Sequence, residues 1–185
     1  MDRQTERLIL RPFIEEDREP FAQLNADPDV MRHFPAPLSH AESDDVLLRI
    51  ARKWQEYGIS YWAIRLKSTG EFVGTIGINF TDYLVVGEYV YEIGWRICPT
   101  HQRKGYAKEA AQEALRIAFD EMNLEKVMSF TILDNIPSQR VMQSLGMTNT
   151  GNQFAHPLIE ADHRCSIHCL YALTKEEWQR MASAS

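Results

Sequence analysis

Hydrophobic and polar positions repeat along this chain with two different periods, one of two residues and one of three to four. From Tyr89 to Ile97 every second residue is aromatic or aliphatic, which predicts a strand with one buried face. That face carries Tyr89, Tyr91, Ile93, Trp95 and Ile97, whereas Val90, Glu92, Gly94 and Arg96 share the other. From Ala107 to Met122 small and apolar residues recur at helical spacing, so we expect an amphipathic helix that lies close against a sheet.

The rest of the chain predicts a mixed α/β sheet in one domain over residues 1–185. Further strands are predicted over residues 5–13, 59–66, 71–80, 126–133, 148–156 and 165–173. Further helices are predicted after Glu15, from the capping box at Ser39 to the stop at Gly58, from Pro137 to Leu145, and after Thr174. The element order is β-α-α-β-β-β-α-β-α-β-β, followed by the short last helix. A ligand groove is expected beside the strand that ends at Ile97.

Composition narrows the class of protein. The net charge of −6 argues against nucleic acid or an anionic membrane as the main partner and suits a cationic amine better. The sequence has no apolar run of membrane-spanning length and no signal-peptide pattern at Met1. Three scattered cysteines do not form a disulfide framework, so we expect a cytoplasmic protein.

A short basic loop joins the alternating strand to the alanine-rich helix. It reads Gln102-Arg103-Lys104-Gly105-Tyr106-Ala107, with Lys108 in the first helical turn. Free backbone N–H groups and the helix dipole favour an anion at such a position, and glycine permits a tight turn close to a ligand. The loop therefore predicts a phosphate site, although a plain strand-to-helix connection with surface lysines has the same residues.

This loop resembles the central motif of the GNAT superfamily of N-acetyltransferases, Gln/Arg-x-x-Gly-x-Gly/Ala. Two other segments, Thr5-Glu-Arg-Leu-Ile-Leu-Arg-Pro12 and Asn135-Ile-Pro-Ser-Gln-Arg-Val141 with Leu145-Gly-Met147, look like the RimJ/RimL-like branch, which contains ribosomal-protein N-terminal acetyltransferases. The resemblance implies a GNAT fold with splayed central strands and acetyl-CoA as co-substrate. It also implies direct acetyl transfer to an amine.

Residues that hold acetyl-CoA follow from the same resemblance. Backbone N–H groups from Arg103 to Ala107 are implied to bind the pyrophosphate, with Gln102 bracing the loop and Lys104 or Lys108 reaching phosphate. Trp95, Arg96 and Ile97 are implied to pair with the pantetheine arm, and a backbone N–H there polarises the thioester carbonyl. Asn135 is implied to hydrogen-bond the pantetheine amides, and it also fits a helix N-cap.

Two residues are candidates for the general base that deprotonates the amine. Glu92 is the first, acting through a water, and its alternative interpretation is a solvated or salt-bridged strand glutamate, for which Arg96 is a candidate partner. His156 is the second, because its ordinary pKa suits the task. Its alternative interpretation is a loop histidine beside Pro157.

Stabilisation of the leaving thiolate departs from the commoner family pattern. Many GNAT enzymes carry a tyrosine four residues after a small residue in the helix that follows the fifth strand. Here the small residue is Ser138, and the tyrosine position holds Met142. The resemblance to RimL-like enzymes implies that Ser138 assists the thiolate, although a capping serine would look the same.

One further cluster has the residue types of a metal site. The segment His163–Cys169 contains two histidines and two cysteines, but on a strand Cys165 and Cys169 would face away from His168. We therefore expect no metal.

Tyr61 or Trp62 is a candidate for lining the acceptor groove.

The sequence thus predicts acetyl transfer to a primary amine, foremost the N-terminal α-amine of a peptide or protein. Small amines (an amino acid, polyamine or antibiotic) and a succinyl-type donor stay open, as does the choice between monomer and homodimer. A non-catalytic acyl-CoA-binding module is the alternative of another class. A nucleotide-binding protein is disfavoured, because the loop lacks Gly-Lys-Ser/Thr and the first strand is not followed by Gly-x-Gly-x-x-Gly.

Overall fold

An eight-stranded mixed sheet organises the computed structural model, which describes residues 2–183. Its strands are β1 (Arg3–Gln4), β2 (Leu8–Arg11), β3 (Tyr61–Leu66), β4 (Phe72–Phe80), β5 (Tyr91–Ile97), β6 (Lys126–Ile132), β7 (Thr148–Ala155) and β8 (Ile167–Thr174). The α-helices are α1 (Arg18–Ala26), α2 (Pro28–Met31), α3 (His40–Tyr57), α4 (Tyr106–Arg116), α5 (Ile136–Ser144) and α6 (Lys175–Ser183). The strand order across the sheet is β1-β2-β3-β4-β5-β6-β8-β7.

The two central strands diverge, as the family resemblance implied. β5 and β6 are parallel, and their only paired residues within the described chain are Glu92 and Met128. Ser129 Oγ donates to the Ile93 carbonyl at 2.9 Å, which ties the strands together at this point. Beyond Ile93 the strands separate towards their carboxyl ends. The edge of β5 that faces the gap there has backbone groups without β6 partners, which is where an extended ligand can bind.

Helix α4 covers one face of the sheet through its small residues. Ala110, Ala111 and Ala114 are completely buried in the core that also contains Ile76 and Ile93. Because alanine adds little thickness, the helix lies close to β4 and β5, as predicted. The helix does not stay α-helical to Met122, however. It continues as a π-helical segment over Ile117–Glu121, in which the Met122 amide donates five residues back to Ile117.

Helices α1, α2 and α3 cover the opposite face with a second apolar core. Phe21, Leu24, Met31 and Ile50 are buried there. The predicted division of β5 into two faces is confirmed, because Ile93 and its alternate neighbours join the α4 core, while Arg96 extends towards Phe21 and Phe34 on the other side.

Two predicted strands have different limits. The strand predicted over 5–13 is limited to β2 at Leu8–Arg11, which pairs antiparallel with β1 at Arg3–Gln4. The two strands are separate because the Thr5 amide donates to the Leu8 carbonyl at 3.0 Å and turns the chain. The strand predicted from Tyr89 begins at Tyr91, because Val90 exchanges hydrogen bonds with Thr81 and closes the loop 81–90.

No helix within residues 2–183 is both long and apolar enough to cross a bilayer.

Candidate active site

The loop between β5 and α4 is a tight turn with two left-handed residues. Arg103 has φ +59° and Gly105 has φ +83°, and Gly105 is the residue that precedes α4. The side-chain amide of Gln102 donates to the Ile97 carbonyl at 3.1 Å. This bond ties the loop to the end of β5, so that the start of α4 is fixed relative to the gap between the central strands.

An ion pair that the sequence analysis missed, between Arg7 just before β2 and Glu109 in α4, acts as a buttress for the loop. Arg7 Nη1 donates to the Lys104 carbonyl at 3.0 Å, and Arg7 Nε lies 2.7 Å from Glu109 Oε2. The guanidinium also covers the Tyr106 ring, 4.7 Å from its centroid. Arg7 belongs to the segment Thr5–Pro12, which the sequence analysis singled out for its resemblance. The contacts of Arg7 give this residue of the segment a structural role in holding the loop.

The outer side of the loop fits a diphosphate. None of the backbone amides from Arg103 to Lys108 has a hydrogen-bond acceptor within residues 2–183. Lys104 and Lys108 are exposed beside these amides. Free N–H groups at a helix start, together with the helix dipole and two ammonium groups, are the donor set that a pyrophosphate requires.

Glu92 lies on the face of β5 opposite α4, at the point where β5 and β6 begin to separate. Asn79 Nδ2 donates to Glu92 Oε1 at 3.1 Å, and the carboxylate is partly accessible. Burial raises the pKa of Glu92 from an ordinary 4.5 to about 7, and the Asn79 bond and the Lys53 charge only partly offset it. The alternative pairing with Arg96 is not formed, since the Arg96 guanidinium binds Asn25 Oδ1 instead.

This raised pKa makes stability depend on pH in a direction that can be measured. The folded state holds the Glu92 proton more tightly than the unfolded chain, so stability falls as pH rises from about 4.5 to about 7. We expect Glu92→Gln to be more stable than wild type at pH 8, by about 1–3 kcal/mol, and equally stable at pH 4.5. Urea unfolding at both pH values checks this. A variant equally stable at pH 8 contradicts the raised pKa.

Tyr61 lies across two glycines on the same face as Glu92. A Cβ atom on Gly77 would come within 2.5 Å of the Tyr61 ring, and one on Gly94 within 2.8 Å of its hydroxyl. The bare backbone of these glycines therefore makes room for the phenol beside Glu92. Of the two predicted groove residues, Tyr61 has this position, whereas Trp62 is 2% exposed and belongs to the core on the α4 side.

His156 lies beside Tyr83, a residue that the sequence analysis did not single out. Tyr83 Oη is 2.9 Å from His156 Nε2. Burial, followed by the neighbouring His168, lowers the pKa of His156 to about 4. His156 is therefore neutral near pH 7 and contacts a phenol. No pattern in the sequence around Tyr83 predicts this contact.

The family model for the acetyltransferase (GNAT) domain matches residues 7–148 of this chain. The chain belongs to the GNAT family. The protein is therefore an acyl-CoA-dependent N-acetyltransferase, and the matched range includes Arg7, Glu92, the loop and the start of α5.

Individual proteins agree with this membership. The chain is 32% identical to the uncharacterized N-acetyltransferase YnaD of Bacillus subtilis, over 94% of this chain and 97% of YnaD. It is 30% identical to the FsC-acetyl coenzyme A-N(2)-transacetylase of Aspergillus fumigatus, over 98% of this chain and 79% of that protein. A crystal structure of a GNAT-family acetyltransferase from Bacillus anthracis superposes with a TM-score of 0.77 at 29% identity, over 95% of this chain and 99% of that chain.

GNAT acetyltransferases use acetyl-CoA, and two predicted contacts for its thioester end lie at the start of α5. Asn135 Oδ1 accepts from the Ser138 amide at 3.3 Å, and Asn135 Nδ2 donates to Thr131 Oγ1 at 2.8 Å, so Asn135 is the N-cap of α5. The Ser138 hydroxyl has no hydrogen-bond partner within residues 2–183. Met142 is 2% exposed and belongs to the core.

The cysteines and histidines of the segment His163–Cys169 do not converge on one point. Cys169 is buried in the α4 core and donates to the Thr131 carbonyl, whereas His168 contacts Phe154 on the opposite face of β8. Cys165 lies in the turn before β8. Across residues 2–183 no group of three or more His, Cys, Asp or Glu side chains is arranged to hold a metal ion.

Proposed function

We propose that this acetyltransferase transfers the acetyl group of acetyl-CoA to the N-terminal α-amine of a peptide or protein. The observation that carries this proposal is the Glu92 carboxyl, partly accessible at the divergence of β5 and β6, with its pKa raised to about 7. Membership of the RimJ/RimL-like branch, which the Thr5–Pro12 and Asn135–Val141 segments resemble, belongs to the same proposal.

The pKa of Glu92 suits an α-amine better than a lysine-like amine. An α-ammonium has a pKa of about 7.7–8.0 and a lysine ammonium of about 10.4. Proton transfer to a base of pKa about 7 is therefore uphill by roughly one unit for the α-ammonium and by more than three for the lysine-like group. The acidic net charge of −6 favours cationic acceptors of either kind and does not separate them.

In the proposed reaction both substrates are bound together. Backbone amides of Arg103 to Ala107, with Lys104 or Lys108, hold the pyrophosphate. A backbone N–H among Trp95, Arg96 and Ile97 polarises the thioester carbonyl, and Asn135 binds the pantetheine arm.

Proton and electron movements then follow directly. Glu92 takes a proton from the ammonium through a water, and the free nitrogen lone pair attacks the thioester carbon. The C–S bond breaks as the carbonyl re-forms, and the CoA thiolate leaves beside the Ser138 hydroxyl. The thiolate receives the second proton of the former amine, which yields free CoA and the amide.

Glu92 is preferred to His156 as the base because of their contacts. Glu92 Oε2 accepts no hydrogen bond from residues 2–183 and is available to a water. Both ring nitrogens of His156 are engaged, by Tyr83 and by the Leu158 amide. A small-molecule amine is the second candidate acceptor, because the Aspergillus fumigatus relative is named for transfer to N(2) of FsC.

Release of free thiol from acetyl-CoA with matched acceptors tests this function. The acceptors are a lysine-free peptide with an open N-terminus, an N-terminally blocked peptide with one lysine, spermidine and a free amino acid. We expect kcat/KM for the open N-terminus to exceed that for the blocked peptide at least tenfold. Faster turnover of spermidine or the amino acid overturns the peptide acceptor. Acetyl-CoA binding without thiol release from any acceptor, while succinyl-CoA reacts, assigns a longer acyl donor; no release from either indicates the non-catalytic module.

A further inference from the structure

The loop between β4 and β5 holds a tyrosine hydroxyl against a histidine ring. Tyr83 Oη is 2.9 Å from His156 Nε2, and the two ring centroids are 4.8 Å apart. The loop is closed at its base, where the Thr81 amide donates to the Val90 carbonyl at 2.9 Å and the Val90 amide to Thr81 Oγ1 at 3.1 Å. The position of Tyr83 is therefore fixed by the closed base of its loop and by the contact of its hydroxyl with His156.

The hydrogen bonds of His156 determine where its single proton lies. The Leu158 amide donates to His156 Nδ1 at 3.3 Å, so Nδ1 acts as an acceptor and carries no proton. The ring is neutral near pH 7, because burial beside His168 depresses its pKa. The proton is then on Nε2, which donates to Tyr83 Oη. This contact leaves the phenol's own O–H and its second lone pair without a partner within residues 2–183.

Tyr83 lies on the same face of the sheet as Glu92. Glu92 and Met128 are register partners across β5 and β6, so their side chains point to one face. Tyr83 packs against the apolar cluster that contains Met128 and Val90. The Glu92 carboxylate also adds to burial in raising the pKa of the Tyr83 phenol. Both residues are half-buried, so a phenolic oxygen and a carboxylate are present on the same face of the sheet.

We propose that Tyr83 binds the acceptor amine beside Glu92 and that His156 is a positioning residue acting through Tyr83. This inference rests on the proposed function, in which Glu92 is the base. An amine nitrogen needs acceptors for its N–H groups while its lone pair stays free to attack. Tyr83 Oη accepts one N–H and Glu92, through its water, receives the proton that is lost. His156 Nε2–H fixes the phenolic oxygen in this orientation and transfers no proton itself.

Steady-state kinetics of Tyr83→Phe, His156→Ala and His156→Gln test the proposal, with acetyl-CoA and the lysine-free peptide, or spermidine if that is the amine turned over. Tyr83→Phe and His156→Ala are each expected to raise KM for the acceptor about tenfold, with KM for acetyl-CoA unchanged. The double variant Tyr83→Phe/His156→Ala is expected to be no worse than either single variant. Glutamine can place an N–H near the position of Nε2, so His156→Gln is expected to stay within about threefold of wild type.

Two results overturn the proposal. One is an unchanged acceptor KM in Tyr83→Phe, and the other is a loss of kcat in His156→Gln as large as in His156→Ala, about 100-fold or more, which would make His156 the base. Failure of the proposed function looks different, because Glu92→Gln would then keep wild-type kcat. Nitrogen-15 NMR of the wild-type protein supplies a test without variants: we expect His156 protonated on Nε2 from pH 6 to 8, and a proton on Nδ1 contradicts the assignment.

Discussion

Replacement of Glu92 by Gln is expected to lower kcat for acetyl transfer by about 10²- to 10⁴-fold, which is the usual contribution of a general base. Glutamine keeps the size of the side chain and can keep the contact with Asn79, which is 3.1 Å in length. The change therefore removes the basic oxygen with little effect on packing. The Kd for acetyl-CoA is expected to stay within about twofold of wild type, because the loop that precedes α4 lies at the other end of β5.

A matched variant separates the loss of the base from the loss of one negative charge. Glu88 lies in the loop 81–90, where its exposed carboxylate pairs with Lys126 at 2.7 Å. Glu88→Gln makes the same change in net charge and is expected to leave kcat within about twofold of wild type, since exposed ion pairs contribute little. A Glu92→Gln enzyme with at least a tenth of wild-type kcat would remove Glu92 from the mechanism.

The second large effect concerns the loop. Gly105→Ala is expected to raise the Kd for acetyl-CoA about 5- to 30-fold. Gly105 has φ +83°, where a side chain adds roughly 1–2 kcal/mol of strain, and its Cβ would lie 3.3 Å from Arg7 Nη2. In the Gly105→Ala variant without ligand, the loop can relax away from this conformation. Acetyl-CoA must then restore the conformation on binding, which weakens its affinity. Isothermal titration with CoA and acetyl-CoA measures the effect.

Gly151 provides the control for this experiment. It has φ +77°, and a Cβ there would meet nothing within 4 Å, so Gly151→Ala introduces the same kind of strain in the β7 region, away from the loop. We expect Gly151→Ala to lower thermal stability slightly and to leave the Kd for CoA unchanged. Equal affinities for Gly105→Ala and wild type would show that the backbone of this loop does not bind the pyrophosphate.

The parts of the fold that rest on local periodicity were predictable from the sequence. The alternation in β5 and the alanine stripe of α4 each depend on one face meeting one core, so spacing alone identified them. The π-helical segment at Ile117–Glu121 was not predictable, because the stripe continues through it at nearly the same spacing. The turn between Thr5 and Leu8 was not predictable either, because the apolar spacing of a strand does not show where a short hairpin turns.

The site could be predicted only in part, because most of its contacts join distant segments. The loop and Glu92 lie on one strand-loop-helix unit, and the resemblance of this unit to the GNAT motif carried the prediction. The Arg7–Glu109 buttress spans 102 positions and the Tyr83–His156 contact spans 73. Neither pair belongs to a local pattern, and each forms only when folding brings its two distant segments together. The raised pKa of Glu92 likewise depends on burial by neighbours that the strand itself does not specify.

The most direct test of the mechanism is the titration of Glu92 itself, followed by carbon-13 NMR of the labelled carboxyl group and compared with the pH dependence of kcat/KM. We predict that the carboxyl titrates near pH 7, that kcat/KM rises through the same pH, and that this rise is lost in Glu92→Gln. A carboxyl that titrates near 4.5, or a rise in kcat/KM near pH 7 that persists in Glu92→Gln, would contradict Glu92 as the base.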